Sequence, residues 1–176
     1  MDVLTAIRRR REITRFLARP IPREVLDAVV ESGYLAPTGN NLLSREFVVV
    51  QSRAMLDHLA GATPYVPWLK EAQAGIVVTG RPAVSKYWLH DAAIACAFLW
   101  LAAVEQGLGA AFGAIYHSED AAESARRETY VRTALGIPDD RRVVAILGLG
   151  YPAVEPEPKT LPPREETIFF ERFGGR

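Results

Sequence analysis

After Asp2, the apolar residues Val3, Leu4 and Ile7 recur at helical spacing, which predicts a short amphipathic helix over residues 2–11 that runs into Arg8-Arg9-Arg10-Arg11. Pro22 presets the first turn of a second helix, whose Val25, Leu26, Val29 and Val30 form one apolar face and which stops before Gly33. Pro37-Thr38-Gly39-Asn40-Asn41 has the composition of a loop. The period then shortens: Phe47 to Val50 reads as a buried strand, Ser52 offers an N-cap to a helix carrying Met55, Leu56 and Leu59, and Gly75 to Val78 reads as a second strand.

From about Val84 to Gln106 the chain is apolar nearly all round a helix, more than a single chain of this size could surround, so much of this surface is expected to face a second copy. Gly107-Leu108-Gly109 ends that helix, Ala110 to Ile115 returns as a strand, and Ser118 is placed to cap a charged, exposed helix. Val143 to Leu149 gives the last core strand. Ala153 to Pro163 is rich in proline and has no periodicity, so it should run extended over a surface, the partner's being the candidate, before Ile168-Phe169-Phe170 buries again. Helices alternating with short buried strands predict a sheet covered on both faces.

The 176 residues suffice for one domain, taken as residues 1–176, and for a sizeable core. Lys plus Arg and Asp plus Glu number 21 each, so no net charge attracts nucleic acid or an anionic membrane over long range, and neither is expected as a partner. Any anion site must be local. The single cysteine, Cys96, precludes an internal disulfide, and the absence of a basic-then-apolar leader leads us to expect a cytoplasmic protein. Ala92 to Val104 falls short of the roughly 20 residues that cross a bilayer and reads as a buried helix.

Candidate chemistry is sparse. His58, His90 and His117 lack metal-ligand spacing, so no metal is expected. Cys96 sits in an apolar helix with no nearby cation, as a structural thiol does. No Ser or Cys has an evident base, which argues against acyl transfer. Gly107 to Gly113 approaches a dinucleotide fingerprint, but its spacing is one residue too long and it follows a helix where that fingerprint follows a strand. Gly148-Leu149-Gly150-Tyr151-Pro152 reads as a turn. The arginine run admits two readings: a solvated face complementing the helix dipole, or a phosphate clamp that Lys159 and Arg164 could complete.

Arg10-Arg11-Glu12-Ile13-Thr14-Arg15-Phe16 followed by Pro20-Ile21-Pro22 resembles the opening signature R-R-S-x-R-x-F ahead of P-I-P of the nitroreductase family. Ala36 to Asn41 is similar to that family's A-P-S-x-x-N loop, Asp91 to Gly109 to its central interface helix with a G-L-G end, and Ile146 to Pro152 with Lys159 and Pro163 to its closing strand and basic C-terminal segment. The resemblance implies an α+β fold: a three-layer α/β/α sandwich around a mixed, mainly antiparallel sheet, with an extended C-terminal segment reaching the partner of a homodimer. It further implies FMN in the dimer interface, its phosphate held by Arg10, Arg11 and Lys159, a clamp that Arg164 could complete, with Pro37, Thr38, Gly39 and Asn41 contacting the flavin and ribityl chain and the backbone of Gly113 and Ala114 near the reactive edge. NAD(P)H would supply hydride, and a nitroaromatic, quinone or flavin would accept electrons in a ping-pong cycle. The flavin would carry the electron chemistry, so no catalytic side chain is expected.

Three departures bear on the cofactor site. Glu12 stands where the family has Ser and is expected to pair with Arg11 or Arg15; Thr14 replaces a cation, whose charge Arg15 or Arg45 could supply; Leu43-Ser44-Arg45 replaces Q-P-W. Because the chain is short for the family, Tyr65 and Trp68, with Tyr87, are candidates to roof the substrate pocket, with core or interface packing as the alternative for each. Competing functions are other flavin chemistry, such as dehalogenation or flavin fragmentation, and a flavin-binding dimer without turnover. A basic nucleic-acid module conflicts with the neutral total charge.

Overall fold

In the computed structural model, which describes residues 1–175, five helices and four strands follow one another as α1 (Val3–Arg9), α2 (Arg23–Leu35), β1 (Arg45–Val50), α3 (Arg53–Leu59), β2 (Ala74–Gly80), α4 (Trp88–Glu105), β3 (Gly109–Ala114), α5 (Ala121–Leu135) and β4 (Arg142–Gly150). The strands order as β1-β2-β4-β3 and all three pairings are antiparallel. A single parallel bridge, Glu12 to Ala110, lays the segment after α1 along β3 and gives the sheet its mixed character.

Side chains alternate across a strand, so each strand feeds two cores. Ile76, Val78, Leu147 and Leu149 pack beneath α2 and α4, where Leu26, Val29, Ala92, Cys96 and Leu99 close the layer. Val77, Ile146 and Ala111 face the other way, onto Leu56 and Leu59 of α3, Val131 of α5 and the short 3-10 segment Pro67–Lys70. The result is the expected α/β/α sandwich.

Several local expectations are corrected. α2 does not stop at Gly33 but runs through it to Leu35, because the missing side chain lets Leu99 and Phe47 press on the helix; a Cβ there would lie 2.8 Å from a Leu99 methyl. β1 is a half-buried edge strand rather than a buried one. Asp120, not Ser118, caps α5 by accepting the Glu123 amide, and α5 buries Ser124, Arg127, Glu128 and Val131. α4 begins at Trp88, after a turn closed by the Arg81 carbonyl. Its 18 residues have the length and composition of a membrane span, yet 33% of them are buried and the helix packs between α2 and the sheet. Ile168 and Phe170, expected to bury, are 42% and 63% exposed within the single chain. Burial pushes the Cys96 thiol up to about 12, which keeps it protonated and inert.

Candidate functional site

Two segments meet where α1 ends. Arg11 folds back, its Nη1 donating to the carbonyls of Arg8 at 2.8 Å and Arg10 at 3.0 Å, while its Nε reaches the Glu157 carbonyl at 2.9 Å. Lys159 donates to the Ile7 carbonyl at 2.9 Å. Cations at a helix C-terminus satisfy carbonyls that have no intrahelical partner and sit favourably against the dipole. The C-terminal segment is thereby stitched to α1, and Arg10, Arg11 and Lys159 converge. Partial burial, and then the charges of Arg10 and Arg11, hold the Lys159 ammonium below its ordinary value. Among the described residues none of the three forms an ion pair with a carboxylate. Three crowded cations without a counter-charge fit a phosphate dianion. Arg164 is not brought into this cluster by any recorded hydrogen bond or ion pair among the described residues; it opens the 3-10 turn Arg164–Glu166, and its carbonyl accepts from Thr167 and Ile168.

The loop after α2 is held from beneath. Pro37 and Thr38 lead into the 3-10 turn Gly39–Asn41, where Asn40 and Asn41 both adopt a left-handed backbone with φ of 56°. Asparagine tolerates this conformation better than most residues, but each instance has a conformational cost. Asp91 on α4, only 2% exposed, offsets it: one carboxylate oxygen accepts the Gly39 amide at 2.9 Å and the other accepts the hydroxyls of Ser44 and Ser85. Gly39 also lies on the Tyr87 ring, where a Cβ would come within 2.6 Å. Tyr87 therefore packs against the loop while 42% of it stays exposed. The Asn41 and Leu43 side chains are exposed, and the Leu43 carbonyl accepts from Arg81.

The departures resolve into definite contacts. Glu12 pairs with neither Arg11 nor Arg15; its carboxylate accepts the Phe112 amide of β3 at 3.3 Å. Arg15 is paired to Glu71 at 3.1 Å, and Arg45 donates to the last carbonyls of α2, at Gly33, Tyr34 and Ala36. Neither replaces the charge missing at Thr14, whose side chain is exposed. Gly113 lies against Val66 and Trp68, so its missing Cβ serves interior packing, and the Ala114 carbonyl accepts from Arg127. Trp68 is 8% exposed, packs on Gly113 and Gly148 and donates its indole N–H to the Tyr65 carbonyl. The expectation that Trp68 presents a face to substrate is corrected: its rings are core. Tyr65 is 73% exposed.

The sequence profile of the Nitroreductase family matches residues 7–66 and 56–151. The chain belongs to the nitroreductase family. A relative in Methanothermobacter thermautotrophicus, provisionally named an NADH dehydrogenase/NAD(P)H nitroreductase, is 32% identical over 164 residues, covering 92% of this chain and 83% of its own. An FMN-dependent nitroreductase of Clostridium difficile superposes with a TM-score of 0.87 at 26% identity, covering 97% of this chain and 99% of that one. A provisionally assigned nitroreductase of Desulfovibrio desulfuricans, solved in complex with FMN, superposes with a TM-score of 0.83 at 25% identity, covering 98% of each.

Two features of this nitroreductase escaped the sequence reading. Asp91 entered it only as part of a helix motif, although an acid in an otherwise apolar helix signals a buried carboxylate with fixed donors. Trp100 gave no signal, because the Arg11 carbonyl that accepts its indole N–H lies 89 positions away. Lys159 and Arg164 both lie beyond the stretch that the nitroreductase profile matches.

Proposed function

We propose that this nitroreductase is an FMN-dependent oxidoreductase that draws on NADH or NADPH and passes two electrons to a small planar acceptor such as a nitroaromatic, a quinone or a flavin. The observation that carries this reading is the convergence of Arg10, Arg11 and Lys159 without a compensating carboxylate. Arg10 brings a planar fork suited to phosphate oxygens, Arg11 a positive charge pinned by the Arg8, Arg10 and Glu157 carbonyls, and Lys159 a point charge. The Gly39–Asn41 turn, held by Asp91, would present the Asn41 side chain to the ring system. FMN, when bound, supplies the exchange of electrons between nicotinamide donor and acceptor, so no protein nucleophile is needed.

The working unit in this reading is a homodimer. Val3, Leu4 and Ile7 of α1 and Ile94 and Phe98 of α4 stay exposed, and a hollow of 260 Å³ between these helices is lined almost wholly by apolar atoms, among them Ala6, Phe98 and Leu101. An apolar surface of this extent is expected to be covered by a partner. The exposed Ile168, Phe170 and Phe173 would be covered in the same way by a C-terminal segment reaching across.

One observation favours a second reading. With Arg15 and Arg45 engaged elsewhere, no cation among the described residues is seen to compensate Thr14, which would make a bound flavin harder to reduce and suits a flavin-binding dimer without turnover. Anaerobic addition of NADH and then NADPH to the flavin-loaded protein separates the two. Bleaching of the flavin band followed by its return on addition of a quinone supports the oxidoreductase; a band that both donors leave intact supports the second reading.

A further inference from the structure

We propose that Trp100 is a positioning residue for the anion clamp, holding Arg10 and the Arg10-Arg11 turn in the geometry that receives a phosphate. The inference rests on the reading of that clamp as the FMN phosphate site.

Trp100 projects from α4 into the space between the arginine turn and β3, and three contacts fix its plane. The Arg10 guanidinium carbon lies 4.7 Å from the centre of its ring. Its indole N–H donates to the Arg11 carbonyl at 3.3 Å. On the β3 side the Phe112 ring lies parallel to it, at 2° and 6.4 Å between centres. Phe112 in turn gives its amide to Glu12, so the indole is braced by the same segment that carries the arginines.

The physical need for such a device follows from the charges. Burial, and then the charges of Arg10 and Arg11, disfavour the Lys159 cation, and the same like-charge repulsion acts on Arg10 while no anion is bound. Arginine has several rotatable bonds and loses considerable entropy when fixed. The negative face of a tryptophan ring attracts a guanidinium without neutralising it, whereas a carboxylate would occupy the place of the phosphate. Trp100 therefore keeps Arg10 close without neutralising it, and its N–H fixes the peptide that links Arg11 to Glu12. A clamp organised in advance loses less entropy when the anion arrives.

The test compares dissociation constants for FMN and for riboflavin, which lacks the phosphate, on protein stripped of flavin, for the wild type, Trp100→Leu and Trp100→Phe. In Trp100→Leu the preference for FMN over riboflavin should drop roughly tenfold or more while riboflavin binds as before, since both the ring face and the N–H are lost. Trp100→Phe keeps a weaker ring face but loses the N–H, and should leave the preference about threefold to fivefold below wild type. A purely structural role would weaken both ligands together, and that result, or an unchanged preference in Trp100→Leu, would overturn the proposal. Should Trp100→Leu not fold, Trp100→Phe alone decides, because an undiminished preference there contradicts any role for the indole. A wild type with no preference for FMN over riboflavin would instead remove the phosphate reading itself.

Discussion

Asp91 and Gly39, 52 residues apart in the chain, are joined by a 2.9 Å hydrogen bond from the Gly39 amide to the buried carboxylate. The bond ties the first turn of α4 to the loop expected to meet the flavin. Replacing Asp91 by Ala would leave the Gly39 amide and the Ser44 hydroxyl without an acceptor, so the variant should lose about 2–4 kcal/mol in urea unfolding. Because the loop would no longer hold its left-handed residues, FMN and riboflavin should weaken together, which titration of the flavin-free variant would reveal. Unaltered flavin binding would detach the loop from the site.

Substitutions in the clamp should behave differently. Arg10→Ala should loosen FMN by about 1.5–3 kcal/mol, the range of a hydrogen bond to a charged group, and leave riboflavin affinity unchanged. Lys159→Ala should do likewise, with a shallower dependence on salt than wild type. Retention of FMN at wild-type affinity in Arg10→Ala would return the arginines to the role of a solvated helix end.

Acid stability should depend on α5. Burial by itself would raise the Glu128 carboxyl, but hydrogen bonds from Arg142, Ser124 and the Val143 amide more than reverse this and leave it below its ordinary 4.5. Bonds from Arg126 and Arg127 hold half-buried Glu123 at about 2. A carboxylate depressed in the folded state contributes stability that is present above its unfolded pKa and lost as pH falls through its folded value. Urea midpoints should therefore be level near neutrality and fall progressively below about pH 4.5. Glu128→Gln should shed part of that slope and, by leaving Arg142 unpaired, cost about 2–4 kcal/mol at pH 7. A slope identical to wild type in this variant would exclude Glu128 as a contributor.

Trp68 should report on stability rather than on substrate. Lying in the core against the glycines of β3 and β4, it should cost about 3–5 kcal/mol when replaced by Ala, seen as a lowered midpoint in thermal or urea unfolding. A fully stable Trp68→Ala variant with an altered KM for acceptor would reinstate it as part of the pocket.

Regular elements were legible from the chain because their signals are local. The period of Val25, Leu26, Val29 and Val30, the cap at Ser52 and the helix stop at Gly107 each depend on a few neighbouring residues, and each has its counterpart in the structure. Signals set by tertiary contact misled. Gly33 looks like a helix stop until Leu99 and Phe47 are seen packed against it, and Ser118 looks like a cap until Asp120 takes that place. The N-terminal arginines could be singled out as a possible clamp, but their meeting with Lys159 spans some 150 residues and could not be read from spacing. Asp91 and Trp100 stayed hidden for the same reason: their partners lie in distant segments.

The central claim, an FMN site anchored by Arg10, Arg11 and Lys159, is tested most directly by the absorption spectrum of the purified protein, with chromatographic identification of the flavin released on denaturation. The account predicts flavin bands, in the protein as purified or after incubation with FMN, and FMN as the released species at one per chain. A protein that shows no flavin bands even after incubation with excess FMN would contradict it.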